Sequence, residues 1–169
     1  MLACIEKNDL RHLINILTIS CLLTALSCEQ PKTITTDEKI EVSDNVRQTL
    51  TNYFDDIRES GLTAEFKYLD NSGEFFWTPP GYSSSISYDS VVTILNHNAP
   101  LYQSIDNQWD SLRITALTKE LAAYTGSLRS TMTDISGQVF KIKLVETGLL
   151  IKRHDGWKLL CGQTARTSD

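Results

Sequence analysis

The change of rhythm near residue 100 constrains this chain more than any other feature. Before it, apolar residues recur at helical spacing. Val42, Val46, Leu50, Tyr53, Phe54 and Ile57 form one stripe, while Asp44, Arg47, Gln48, Asp55 and Arg58 fall elsewhere. After it, "LYQSIDNQW", "SLRITALT", "LAAYTGSLRST", "QVFKIKLV", "GLLIKRH" and "WKLLCGQT" read as strands, divided by "TKE", "DISG", Gly148 and "HDG". Helices first and a meander of strands afterwards predict an α+β domain. Three N-terminal helices would pack on one face of a curved, mainly antiparallel sheet. Gly61 is placed to end the first helix. A short second helix over 62–69 presents Leu62, Phe66 and Leu69, and "EFFW" makes a short strand. Ser87 caps the third helix, whose stripe is Tyr88, Val91, Val92 and Leu95.

The N-terminus belongs to something else. Lys7, Arg11 and His12 precede residues 13–26, which carry no Asp, Glu, Lys or Arg. That run is shorter than the roughly 20 apolar residues of a membrane-spanning helix and has the build of a signal-peptide core. "ALSC" places small residues before Cys28 and resembles a bacterial lipobox. The expected organisation is a signal peptide over 1–27, a lipidated Cys28 with a polar tether over 28–41, and a domain over 42–169. A plain secretory signal or an uncleaved anchor is the alternative. Lipid on Cys28 would hold the protein to a membrane of a bacterial cell envelope, on the periplasmic side or at the outer membrane.

This reading leaves Cys161 as the lone internal cysteine, so no disulfide framework is expected. The chain's 169 residues suffice for one domain with a real core. Its net charge of −5 and lack of a basic stripe exclude nucleic acid as a main partner. His97 and His154 have no second ligand at chelating spacing, so neither metal nor cofactor is expected. No phosphate-binding glycine loop or nucleophile elbow is present.

His154 and Cys161 flank "DG" in "IKRHDGWKLLCGQTAR" and invite a nucleophile–base reading. The apolar pattern argues against it. A three-residue loop with Gly156 left-handed puts Arg153 opposite Trp157, Ile151 opposite Leu159 and Leu149 opposite Cys161. Trp157, Leu159 and Cys161 then share a face, while His154 is an exposed turn residue some 20 Å from Cys161 at about 3.3 Å per residue. Trp77, Tyr88, Trp109 and Tyr124 are candidates to face an interior pocket for a flat or apolar molecule, though each also lies in an element that must bury something. Arg113 alternates with Leu112 and Ile114, and points either to that pocket as an anion partner or to the solvated face of the sheet.

The order of these elements, with "LDNSGEFFWTPPG" after the second helix and "SGQVFKIKLVETGLLIKRHDGWKLLCGQT" at the end, resembles the nuclear transport factor 2-like superfamily. The likeness spans about residues 42–164 and is nearest to the SnoaL-like branch. The resemblance implies a cone of curved sheet and three helices with an interior pocket, and homodimerisation through the sheet. Its activities include isomerases and dehydratases. It also implies a catalytic carboxylate near Asp70, with Tyr53 as the donor to an oxyanion. Asp70 lies in "LDNSG", however, where an aspartate commonly bonds its own backbone. The expected function is binding of a small apolar or aromatic molecule, or of a partner protein. The alternatives are a cofactor-free isomerase or hydro-lyase using Asp70 and Tyr53, and a structural dimerisation module.

Overall fold

The structure, a computed structural model, describes residues 33–167. The expected signal segment, Cys28 and the start of the tether lie outside the described residues. Among the described residues no helix is long and apolar enough to cross a membrane.

Helix α1 (Thr36–Ser60) buries the six residues of the stripe, Val42, Val46, Leu50, Tyr53, Phe54 and Ile57. It begins six residues ahead of Val42, inside the stretch expected as tether. The reason is a capping box: the Thr35 hydroxyl accepts from the Glu38 amide, and the Glu38 carboxylate accepts from the Thr35 amide. Gly61 ends the helix at φ 86°, a conformation open to glycine. The expected second helix is a 3-10 turn, Leu62–Lys67. Strand β1 (Phe76–Thr78) follows, then α2 (Tyr88–Asn98), capped by Ser87 as expected.

Four long strands complete the chain: β2 (Tyr102–Ala116), β3 (Leu121–Asp134), β4 (Val139–Arg153) and β5 (Gly156–Arg166). Their order in the sheet is β1-β5-β4-β3-β2, antiparallel throughout except that β1 runs parallel to β5. The two segments expected on either side of Asp110 are one strand, bent by an irregularity between Trp109 and Ser111. Gly148 likewise lies inside β4 and does not interrupt it.

The β4–β5 hairpin differs from its expected register. Its loop is two residues, His154 and Asp155, so Arg153 pairs with Gly156 and Lys152 with Trp157. Leu150 then meets Leu159, both almost fully buried. An extra residue, Leu160, bulges from β5 and brings Leu149 opposite Cys161, as expected. The register rests on the buried leucine pair. Lys152 remains exposed at the strand end although it faces a covered tryptophan. The bulge also reverses the side on which Cys161 emerges. Gly162 pairs with Gly148 and Trp77, which face the helices, so alternation puts Cys161 on the outer face with Leu149 and Phe76. Cys161 therefore does not share a face with Trp157 and Leu159. His154 is an exposed turn residue, as expected.

Candidate functional site

The inner face of the sheet carries the buried residues Leu144, Glu146, Gly148 and Leu150 from β4, and Ala122, Tyr124, Gly126 and Leu128 from β3. Trp77 of β1 lies across part of this face. A Cβ at Gly162 would come 2.7 Å from its ring, and one at Gly148 would come 3.2 Å from it and 3.0 Å from Tyr124. Two residues without side chains let the indole lie close against the sheet. That is the packing role of a glycine in the middle of β4.

Over this floor, α1, the 3-10 turn and α2 close a cavity of about 150 Å³. Leu69, Phe75, Trp77, Val91 and Leu95 supply apolar walls. Four polar residues join them: Tyr53, Glu65, Glu146 and Thr164. Among the described residues lining the cavity there is no lysine, arginine or histidine.

Glu146 is buried, with one donor on each carboxylate oxygen. The Tyr124 hydroxyl donates to its Oε1 at 2.6 Å, and the Thr164 hydroxyl donates to its Oε2 at 3.1 Å. Thr164 Oγ1 in turn accepts from Trp77 Nε1 at 3.1 Å. This chain fixes the indole, the hydroxyl and the carboxylate in one arrangement. Burial pushes the Glu146 carboxyl above the usual range, against the pull of the two hydroxyl donors. Burial raises the Tyr124 hydroxyl well above its ordinary value, and the charge of Glu146 adds to the effect.

Glu65 stands on the 3-10 turn, half-buried as a residue with its carboxyl packed inward. Burial lifts its pKa from 4.5 to about 7; the hydrogen bond from Tyr53 opposes this, and the charge of Glu146 adds to it. Tyr53 itself is raised well above its ordinary value by burial and then by the Glu65 charge. The cavity thus contains one carboxyl that changes charge near neutrality, and a second held by two donors.

Of the expected site residues, Tyr53 and Trp77 line the cavity, and Tyr124 lies one hydrogen bond behind it through Glu146. Trp109 belongs to the core wall: it stacks on Phe54 with ring centroids 4.8 Å apart and closes edge-on against Tyr124. Tyr88 packs edge-on to Phe75 and faces the cleft that holds Asp70. Arg113 lies on the outer face of the sheet, paired in register with Thr125.

The structure does not bring Asp70 and Tyr53 together. Backbone bonds tie residues 68–70 to Leu159, which sets Asp70 beside the β4–β5 hairpin. There its carboxylate accepts two bonds from the Arg153 guanidinium, both 2.8 Å, and one from Ser72 at 2.5 Å. Arg153 holds the Asp70 carboxyl below its ordinary value. Glu65, Glu146 and Thr164 escaped the sequence reading. Glu146 occupies an inward position in the alternation Ile142, Leu144, Glu146, Gly148, Leu150, and an acid in such a row was the available signal.

No protein-family model and no curated protein matches the sequence. Solved structures do. A Novosphingobium aromaticivorans protein assigned provisionally as a scytalone dehydratase superposes with a TM-score of 0.70 at 8% identity, covering 79% of this chain and 89% of that one. A nuclear transport factor 2-like superfamily protein from Salmonella enterica serovar Typhimurium gives 0.65 at 12% identity, over 76% and 93%. The chain has the nuclear transport factor 2-like fold. A third structure with this fold, a hexachlorocyclohexane dehydrochlorinase from Novosphingobium barchaimii, matches with a TM-score of 0.63 at 11% identity over 79% and 92%. At such identities the likeness concerns the nuclear transport factor 2-like fold alone, and function has to be argued from the site.

Proposed function

We propose that this domain binds a small apolar or aromatic molecule in the cavity walled by Trp77 and α2. The observation that carries the reading is an unfilled space of about 150 Å³ in the core, apolar on most sides and with fixed polar groups on one. A cavity of roughly that volume takes a molecule of benzene's size. The outer face of the sheet speaks against a purely structural module. It carries hydroxyl pairs, Ser111 with Ser127 and Thr125 with Thr147, and Arg113 beside them, in place of a broad apolar surface.

Toluene is expected to bind the purified protein, detected by ligand-observed NMR. Val91→Phe, which fills the cavity, should weaken that binding by more than about tenfold while leaving the fold intact. Absence of toluene binding, or binding unchanged in the variant, would remove the reading.

In the same proposal the domain works at a bacterial membrane, exported and held by lipid on Cys28, as "ALSC" suggests. Cys28→Ala is expected to move the protein to the soluble fraction or to leave its precursor uncleaved. Unchanged anchoring and processing would refute the lipid attachment.

Glu65 favours a second reading, a cofactor-free isomerase or lyase. A carboxyl with a pKa of about 7 can take a proton from carbon and return one to a leaving group, with Tyr53 bonded beside it. Proteins named for dehydration and dehydrochlorination share the fold. Glu65→Gln would abolish such an activity without unfolding the chain.

A further inference from the structure

The charges in the cavity narrow the class of small apolar or aromatic molecule it takes. Glu65 and Glu146 face the same small space from different elements, the 3-10 turn and β4. The charge of Glu146 raises the cost of charging Glu65, and among the described residues no cationic side chain lines the cavity to offset it. Carboxylates elsewhere in the fold do have such a partner: Asp70 has Arg153, Asp56 has Lys67, and Glu38 has Lys119. A buried acid pair without a protein cation is most stable when the occupant brings the positive charge.

The remaining walls agree with a cation that has an apolar body. Trp77, Tyr53 and Phe75 offer aromatic surface, which suits both a hydrocarbon and the methylene next to an ammonium. Glu146 is already oriented by Tyr124 and Thr164, so it needs no rearrangement to accept a further bond.

We infer that the cavity selects a small primary amine with an apolar or aromatic body, bound as its ammonium between Glu65 and Glu146. This rests on the cavity being the binding site. At pH 7 an alkylammonium is charged, as a lysine is. Its arrival holds Glu65 in the ionised form, and the proton that Glu65 carried leaves to solvent. Apart from this proton transfer to buffer, no covalent bond changes.

The test is calorimetric titration of the purified protein with benzylamine, and in parallel with toluene, at pH 7. Benzylamine is expected to bind at least about tenfold more tightly than toluene. Repeated in buffers of different ionisation enthalpy, its binding should release a fraction of a proton, because Glu65 keeps part of its proton near neutrality. Glu65→Gln should remove the proton release and bring the ratio of benzylamine to toluene affinity down to about one. If toluene binds and benzylamine binds no better, the amine inference fails and the cavity reading stands. If neither binds, both fail.

Discussion

Between pH 5 and pH 8 the domain is expected to lose stability, by up to about 3 kcal/mol. The sign follows from Glu65. Its carboxyl ionises near the ordinary 4.5 when the chain is unfolded, but keeps its proton to about 7 when folded. Across that window the native state binds more protons than the unfolded state, so stability falls as pH rises and levels off above pH 7. A shift of this size corresponds to about 3 kcal/mol at 1.36 kcal/mol per unit. Burial of Glu146 acts in the same direction. Asp70 acts oppositely: its folded pKa is depressed, so its contribution is present above its ordinary value of 3.8 and is lost as pH falls below that. The two limbs put maximum stability a little above pH 4. Urea unfolding at pH 5 and pH 8 measures the difference directly. In Glu65→Gln it should shrink to less than about 1 kcal/mol. A wild-type protein as stable at pH 8 as at pH 5 would show that Glu65 is not buried in its neutral form.

Arg153→Ala is expected to lower the melting temperature by roughly 10 °C. The Asp70 side chain is only 6% exposed, and Arg153 supplies two of its three side-chain hydrogen bonds. Removing the guanidinium leaves a covered carboxylate facing Ser72 alone. The double variant Asp70→Ala/Arg153→Ala should recover part of the loss, because the stranded charge is gone. The same pair of measurements separates an ion pair from a general cost of truncating arginine. Equal melting temperatures for the single and double variants would show that the lone Asp70 charge is not the cause.

The stripe of α1 was readable because one side is covered by sheet and the other is wet, so the period of 3.6 survives in the sequence. The caps at Gly61 and Ser87 were readable for a similar reason, since each is decided by local backbone chemistry. The hairpin register was not. Its turn is local, but the bulge at Leu160 exists to keep Leu150 against Leu159, and that pairing depends on a leucine ladder reaching back to residue 69. The site divided along the same line. Tyr53 and Trp77 announce themselves as large residues in buried elements. Glu65 lies in a turn that also carries Leu62 and Phe66, and Glu146 sits between Leu144 and Gly148 in the inward row of β4. Both were passed over because an acid is normally a surface residue, and only the cavity brings the two together. Asp70 drew attention by position within a resembling order of elements. Its actual partner, Arg153, lies 83 residues away.

The glycine floor beneath Trp77 has a consequence for how such a binding site can change. The indole rests on bare backbone at Gly148 and Gly162, so no trimming of sheet residues can give it more room below. Its nitrogen is tethered to Thr164, which discourages it from swinging aside. On the sheet side the gauge of the cavity is therefore set by the side chain at position 77. A smaller residue there would admit a longer guest in a single step, while Tyr124 still held Glu146 in place.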